Sequence, residues 1–130
     1  MKDRPKIICT IGSSRFCDVE AVMKWEFEKQ GFICIGMHLL PEWYCKQKGI
    51  GKGHAGETEG VAKIMDELHL KKIEMADEIF VINVNGYIGE RTTFEIDYAT
   101  KLGKPIKYLK QQDHVTIKDC QDDDKAREER

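Results

Sequence analysis

The chain alternates short apolar runs with longer segments in which apolar residues return every three or four positions. "KIICTI", Lys6 to Ile11, is a run of the first kind and ends at "GSSRF", a Gly/Ser cluster of the sort that punctuates the carboxyl end of a strand. Val19, Val22, Met23 and Phe27 then recur at helical spacing, with Asp18 placed to cap that helix and Gly31 to stop it. "FICIG", Phe32 to Gly36, reads as a second strand. Residues 37 to 57 carry no sustained period and hold Gly49, Gly51, Gly53 and Gly56 in quick succession. A loop of that length inside a compact domain is functional or disordered, and a mobile lid is expected here. Val61, Ile64, Met65 and Leu68 mark an amphipathic helix running to about Ala76, and "EIFVIN", Glu78 to Asn83, is the most strand-like run of all. After another loop comes a helix ended by Gly103, and "PIKYL", Pro105 to Leu109, supplies a last strand.

Strands that alternate with helices predict an α/β domain with a parallel sheet covered on both faces. The expected architecture is a flavodoxin-like three-layer α/β/α arrangement with four to five parallel strands. Residues 1–112 form that one domain, with the lid at 37–57 inside it. Residues 113–130 form a charged tail with room for a short element near "HVTI" and a solvated, frayed end from Asp119 onward.

Composition adjusts this picture in a few places. At 130 residues and 41% hydrophobic content the chain can bury one core and not two. A formal net charge of -2 gives no global attraction to polymeric nucleic acid or to an anionic membrane, so any anion site has to be local. No apolar run approaches the roughly 18 residues of a membrane span, and "MKDRPKIICTIG" reads as a charged lead into a strand, so a cytoplasmic location is expected. Cys9, Cys17, Cys34, Cys45 and Cys120 contain no C-x-x-C pair and read as reduced thiols, with no metal expected.

In parallel α/β sheets ligands sit at the carboxyl ends of the strands, which selects three stretches. In the first, Gly12 lets the backbone approach a ligand, Ser13 and Ser14 add hydroxyl donors, and Arg15 with the following helix start would suit a phosphate or carboxylate. A plain strand-to-helix turn with a surface arginine explains the same residues. In the second, Asn83 and Asn85 leave a strand with Gly86 and Gly89 close behind; asparagine can read the edge of a heterocycle, yet it is also what turns prefer. The third is Glu95, which with Tyr98, Ala99 and Leu102 falls at i, i+3, i+4 and i+7, on the stripe that should face the core. Thr92-x-x-Glu95 fits a capping box, which would account for the glutamate locally. A carboxylate ionised near a helix start in a partly desolvated cleft is equally a potential nucleophile. His69 is better explained by packing or hydrogen bonding beside Leu68 than by catalysis. His38, His54, Trp43 and Tyr44 lie in the lid, where they could meet a ligand, face solvent or anchor the segment, and "GIGKGHAG" lacks the spacing of a Walker A loop.

The order "GSSRF", "ADEIFVINV", "GYIGERTTFEIDYATKLGKPI" resembles the nucleoside 2-deoxyribosyltransferase-like superfamily, which includes the 2'-deoxynucleoside 5'-phosphate N-hydrolases. The resemblance runs over residues 6 to 109. It is most specific in "TFEIDYATKLGKP", similar to an E-x-G-x-A helix followed by G-K-P, with Asp97 where glycine is common. A narrower subgroup of bacterial and phage proteins opens C-G-S-x-R-F; here Thr10 and Ile11 precede Gly12 instead. The resemblance implies that Glu95 attacks the anomeric carbon of a nucleoside or nucleoside 5'-monophosphate, forming a glycosyl-enzyme that water or another base resolves, with no cofactor. It implies a substrate-binding set of Gly12, Ser13, Ser14, Arg15, Phe16, Asn83, Asn85, Gly86, Gly89, Glu90 and Tyr98, with Arg15 favouring a monophosphate. It also implies a homodimer or larger homo-oligomer. An aspartate common in the family after the third strand is replaced by Asn83 and Asn85, which cannot donate a proton as an acid, so either Glu90 or Asp97 does that work, or base departure is assisted differently, or catalysis is lost. The rival reading is a nucleotide-binding or sensing protein that keeps the cleft without turnover.

Overall fold

The computed structural model describes residues 4–51 and 55–110. Four strands, β1 (Ile7–Gly12), β2 (Ile33–Ile35), β3 (Glu78–Ile82) and β4 (Ile106–Tyr108), form an all-parallel sheet in the order β2-β1-β3-β4. The helices are α1 (Cys17–Lys29), α2 (Glu42–Lys48), α3 (Ala55–Thr58), α4 (Ala62–Met75) and α5 (Glu90–Lys101). The architecture is the expected three-layer α/β/α fold.

Strand alternation sorts the core into two layers, because successive side chains point to opposite faces. Ile8, Phe80 and Ile82 pack with Phe16, Val19 and Met23 of the α1 side. Cys9, Ile11, Ile79 and Val81 pack with Ile73 and Ala76 from the α4 end and Ala99 of α5. Every residue of β3 is buried, as a strand covered on both faces requires. The register sets Gly12 opposite Ile82, and a Cβ at Gly12 would lie 2.8 Å from the Ile82 carbonyl oxygen. Glycine there lets the two central strands end side by side. The strand order reverses between β1 and β3, so their carboxyl ends open the crevice in which such sheets bind ligands.

Several local expectations are corrected. Asp18 does not cap α1; Phe16 holds the cap position and Asp18 lies in the first turn, because a one-turn 3-10 helix, Ser14–Phe16, runs straight into α1. The segment 37–57 is partly helical, holding α2 and α3: Pro41 opens α2 and Gly49, at φ 66°, closes it, signals overshadowed by the glycine count. On α4 the buried stripe is His69 and Ile73, continuing to Ala76, while Ile64 and Leu68 are 54% and 49% exposed. The helix is thus turned about one residue from the orientation its apolar pattern predicts, with a histidine in the core-facing position. On α5 the stripe runs Thr92, Glu95, Ala99, and Leu102 is exposed. Lys52, Gly53, His54, the "HVTI" segment, Cys120 and the rest of the tail lie outside the described residues. Cys9, Cys17, Cys34 and Cys45 are not in disulfides. Among the described residues no helix is long and apolar enough to cross a membrane.

Candidate functional site

A cavity of about 770 Å³ opens at the carboxyl edge of the sheet, a size suited to a small-molecule ligand. Five parts of the chain line it, one of them the stretch between α2 and α4 with Ile50, Glu57, Glu59 and Val61. The β1 exit contributes Gly12, Ser13 and Ser14; the β2 exit and α2 contribute Met37, His38, Leu39 and Tyr44; α4 contributes Met65, Asp66, His69 and Lys72; the entry to α5 contributes Gly89 to Thr92 and Glu95.

The β1 exit is a built turn. Ser13 Oγ accepts from the Arg15 backbone N–H at 3.2 Å and the Ser13 carbonyl accepts from Phe16 N–H at 2.9 Å. Arg15 does not point into the cavity directly. Its guanidinium lies over the Tyr87 ring, 4.5 Å from the centroid, and buried Phe16 meets the same ring edge-on at 5.8 Å. Tyr87 therefore links the first loop to the third and lines the cavity itself. Tyr87 is not among the residues expected from sequence, and its signal there is an aromatic between Gly86 and Gly89 in "GYIG".

Glu95 is 5% exposed and faces the cavity from α5. The capping-box explanation fails: α5 begins at Glu90 with Gly89 as its cap, so Thr92 is already inside the helix. Glu95 Oε2 instead accepts from Arg91 Nε at 3.3 Å, and Oε1 lies 3.8 Å from His69 Nε2 of α4. Burial pushes the Glu95 carboxyl up to about 7 against the pull of Arg91, and pushes His69 down to about 4, with Lys72 and Arg91 adding in the same direction. Both groups are driven toward their neutral forms. His69 thus borders the cavity beside Glu95, where its sequence context predicts only packing or hydrogen bonding on α4.

A second buried carboxyl stands behind the β2 exit. Glu20 of α1 is 1% exposed; Thr10 Oγ1 donates to its Oε2 at 2.8 Å, and Lys24 Nζ lies 3.5 Å away. Its Oε1 has no hydrogen-bond partner among the described residues. Burial raises Glu20 to about 7. Lys24 Nζ also donates to the Met37 carbonyl at 2.8 Å, and Lys72 Nζ to the Gly36 carbonyl at 2.7 Å. Lysines from both faces of the sheet thereby fix the chain where it leaves β2 to form a cavity wall.

Other predicted residues are placed elsewhere. Asn83 Oδ1 accepts from Leu109 N–H at 3.1 Å, tying the end of β3 to the end of β4. Asn85, at φ 54°, and Gly86, at φ 80°, form a tight turn, so the turn explanation holds for this pair and for Gly86. None of the three lines the cavity. The Tyr98 hydroxyl donates to Glu74 Oε2 on α4, and the ring packs against the Ile73 core, away from the cavity wall. Asp97 pairs with Lys101 at 3.1 Å on the exposed side of α5, whereas Glu90 lines the cavity. In the segment 37–57, Tyr44 lines the cavity and Trp43 is 63% exposed. Comparison of the chain with protein-family models, curated proteins and solved structures returns no match.

Proposed function

We propose that the protein cleaves or transfers the N-glycosidic bond of a nucleoside or nucleoside 5'-monophosphate, with Glu95 as nucleophile. The observation that carries this reading is a buried glutamate aimed into a small-molecule cavity at the β1/β3 crevice, held by Arg91 rather than spent on capping its own helix. The motif order around Glu95, with its resemblance to the nucleoside 2-deoxyribosyltransferase-like superfamily, supports the same assignment.

In the proposed reaction a Glu95 carboxylate oxygen bonds to the anomeric carbon as the carbon–nitrogen bond breaks and its electron pair leaves with the base. Glu90, the acidic side chain at the cavity end of α5, protonates the departing base. Water then attacks the glycosyl ester, gives its proton back to Glu90 and releases Glu95 as a carboxylate. A free base in place of water makes the reaction a transfer. The hydroxyls and backbone of Ser13 and Ser14 suit the 5' end of the sugar, with Arg15 behind Tyr87 supplying positive charge. The exposed Ile64 and Leu68 on α4 suit contact with a second copy of the chain, consistent with a homo-oligomer.

A second reading, nucleotide binding without turnover, is favoured by one observation: burial drives Glu95 toward the neutral form, which is not a nucleophile. The test is to incubate the protein with ribo- and deoxyribonucleosides and their 5'-monophosphates, with and without acceptor bases, and to quantify free base by chromatography. Base release that Glu95→Ala lowers at least about a thousandfold supports the enzyme. Saturable binding of a nucleotide with no release supports the binding protein.

A further inference from the structure

The His69–Glu95 pair has a spacing that neither side chain uses. At 3.8 Å, Nε2 and Oε1 are too far apart for a hydrogen bond, yet both are buried and both border the cavity. Two atoms at that separation can share one oxygen atom lying about 2.8 Å from each. A neutral imidazole offers one N–H and a carboxylate only accepts. A hydroxyl can fill that place, accepting from His69 Nε2–H and donating to Glu95 Oε1 once the carboxyl is ionised.

The stereochemistry of a β-nucleoside says which hydroxyl that is. If Glu95 attacks the anomeric carbon, it approaches the face opposite the base. In a ribonucleoside the 2'-hydroxyl projects from that same face, on the adjacent carbon. A 2'-deoxynucleoside has only hydrogen there. The same geometry argues against His69 as the acid that protonates the leaving base, since the base departs from the far face. A 2-hydroxyl bound to the nucleophile's carboxylate is also the contact that strengthens as an oxocarbenium-like transition state forms.

We propose that His69 and the Oε1 oxygen of Glu95 form a 2'-hydroxyl subsite, which makes the protein selective for ribonucleosides or ribonucleotides over their 2'-deoxy counterparts; this rests on the N-glycosidic reading of Glu95. Burial of His69 strengthens the case, because a histidine held neutral at pH 7 keeps both a donor and an acceptor without bringing a charge to the sugar. Without the hydroxyl, the two buried groups face each other with no partner between them, and it is this unpaired state that penalises a deoxy ligand.

The test compares matched ribo- and 2'-deoxyribonucleoside 5'-monophosphates of the common bases, read two ways: calorimetric affinity and the rate of base release. The expected result for the wild-type protein is a ribose preference of about 10- to 100-fold. His69→Leu, similar in bulk to the histidine, is expected to bring that ratio close to one through loss on the ribose side alone, and His69→Gln, which can still donate, to retain part of it. Equal handling of the two sugars, a deoxy preference, or a ribose preference that His69→Leu leaves untouched overturns the subsite. Ribose-selective binding that His69→Leu erases, with no base released from any nucleotide, sinks the N-glycosidic reading and leaves the subsite standing. Binding of neither sugar overturns both.

Discussion

At the scale of single residues, Glu95 illustrates what a sequence pattern can and cannot say. Its place on the core-facing stripe was legible from helical spacing, and its burial follows. Its partners were not legible, because Arg91 reaches it along α5 while His69 arrives from α4, 26 residues earlier in the chain. Only the packing of two helices on one sheet face brings the pair together. A pH dependence follows from this setting. A nucleophilic carboxylate must be ionised, and burial holds Glu95 protonated up to about 7, so base release should rise as pH increases through neutrality. Arg91 opposes the burial, and Arg91→Gln should therefore move that acid limb to higher pH. Initial rates across pH for the two proteins decide it; a limb at the ordinary carboxylate value near 4, or one that Arg91→Gln leaves in place, would show that Glu95 is not the titrating group. Gly36 is constrained differently. A Cβ there would lie 2.0 Å from Thr10 Oγ1 and 2.4 Å from Glu20 Oε2, so Gly36→Ala should destabilise the fold by about 1–3 kcal/mol in urea unfolding.

At the scale of elements, the strands were legible as short apolar runs: β2, β3 and β4 fall within their predicted runs, and β1 passes the end of its run, Lys6 to Ile11, by one residue to Gly12. The orientation of α4 was harder. Val61, Ile64, Met65 and Leu68 form the more hydrophobic stripe, yet the helix buries His69, Ile73 and Ala76. Apolar counting scores histidine as polar, whereas an interior position can hold it neutral. The consequence is an exposed apolar ridge, Ile64 and Leu68, of which Leu68 also lines the cavity. If that ridge is where a second copy sits, Leu68→Glu should convert an oligomer into a monomer in sedimentation velocity without altering the circular dichroism spectrum. A wild-type protein that sediments as a monomer at every concentration, or an oligomer indifferent to the substitution, would remove the ridge from consideration. The α2 and α3 helices escaped the sequence reading because seven and four residues are too few to establish a period.

At the scale of the whole molecule, the two buried carboxyls make stability fall with pH where many proteins gain it. Glu20 and Glu95 both stand at about 7 in the folded state against an ordinary 4.5, so between those values the folded chain keeps protons that the unfolded chain has released. Each then contributes stability that is present at pH 4.5 and lost as pH rises to 7, up to a few kcal/mol apiece. His69 acts in the opposite sense, since its folded value of about 4 lies below its ordinary 6.5 and the unfolded chain holds that proton longer. Burial and the nearby lysines lower His38 too, by less, and the two raised carboxyls still leave a net decline across the window. Glu20 can be separated from the site pair because its contacts, Thr10, Lys24 and the Met37 backbone, lie on the α1 side and at the β2 exit. Glu20→Gln keeps the shape and an acceptor for Thr10 while removing the titration. The variant should match the wild-type protein at pH 5 and exceed it at pH 8, with urea unfolding at the two pH values as the measurement. Should both proteins lose the same stability between pH 5 and pH 8, Glu20 is ionised in the fold at both, and the unpartnered Oε1 is then satisfied by something other than its own proton.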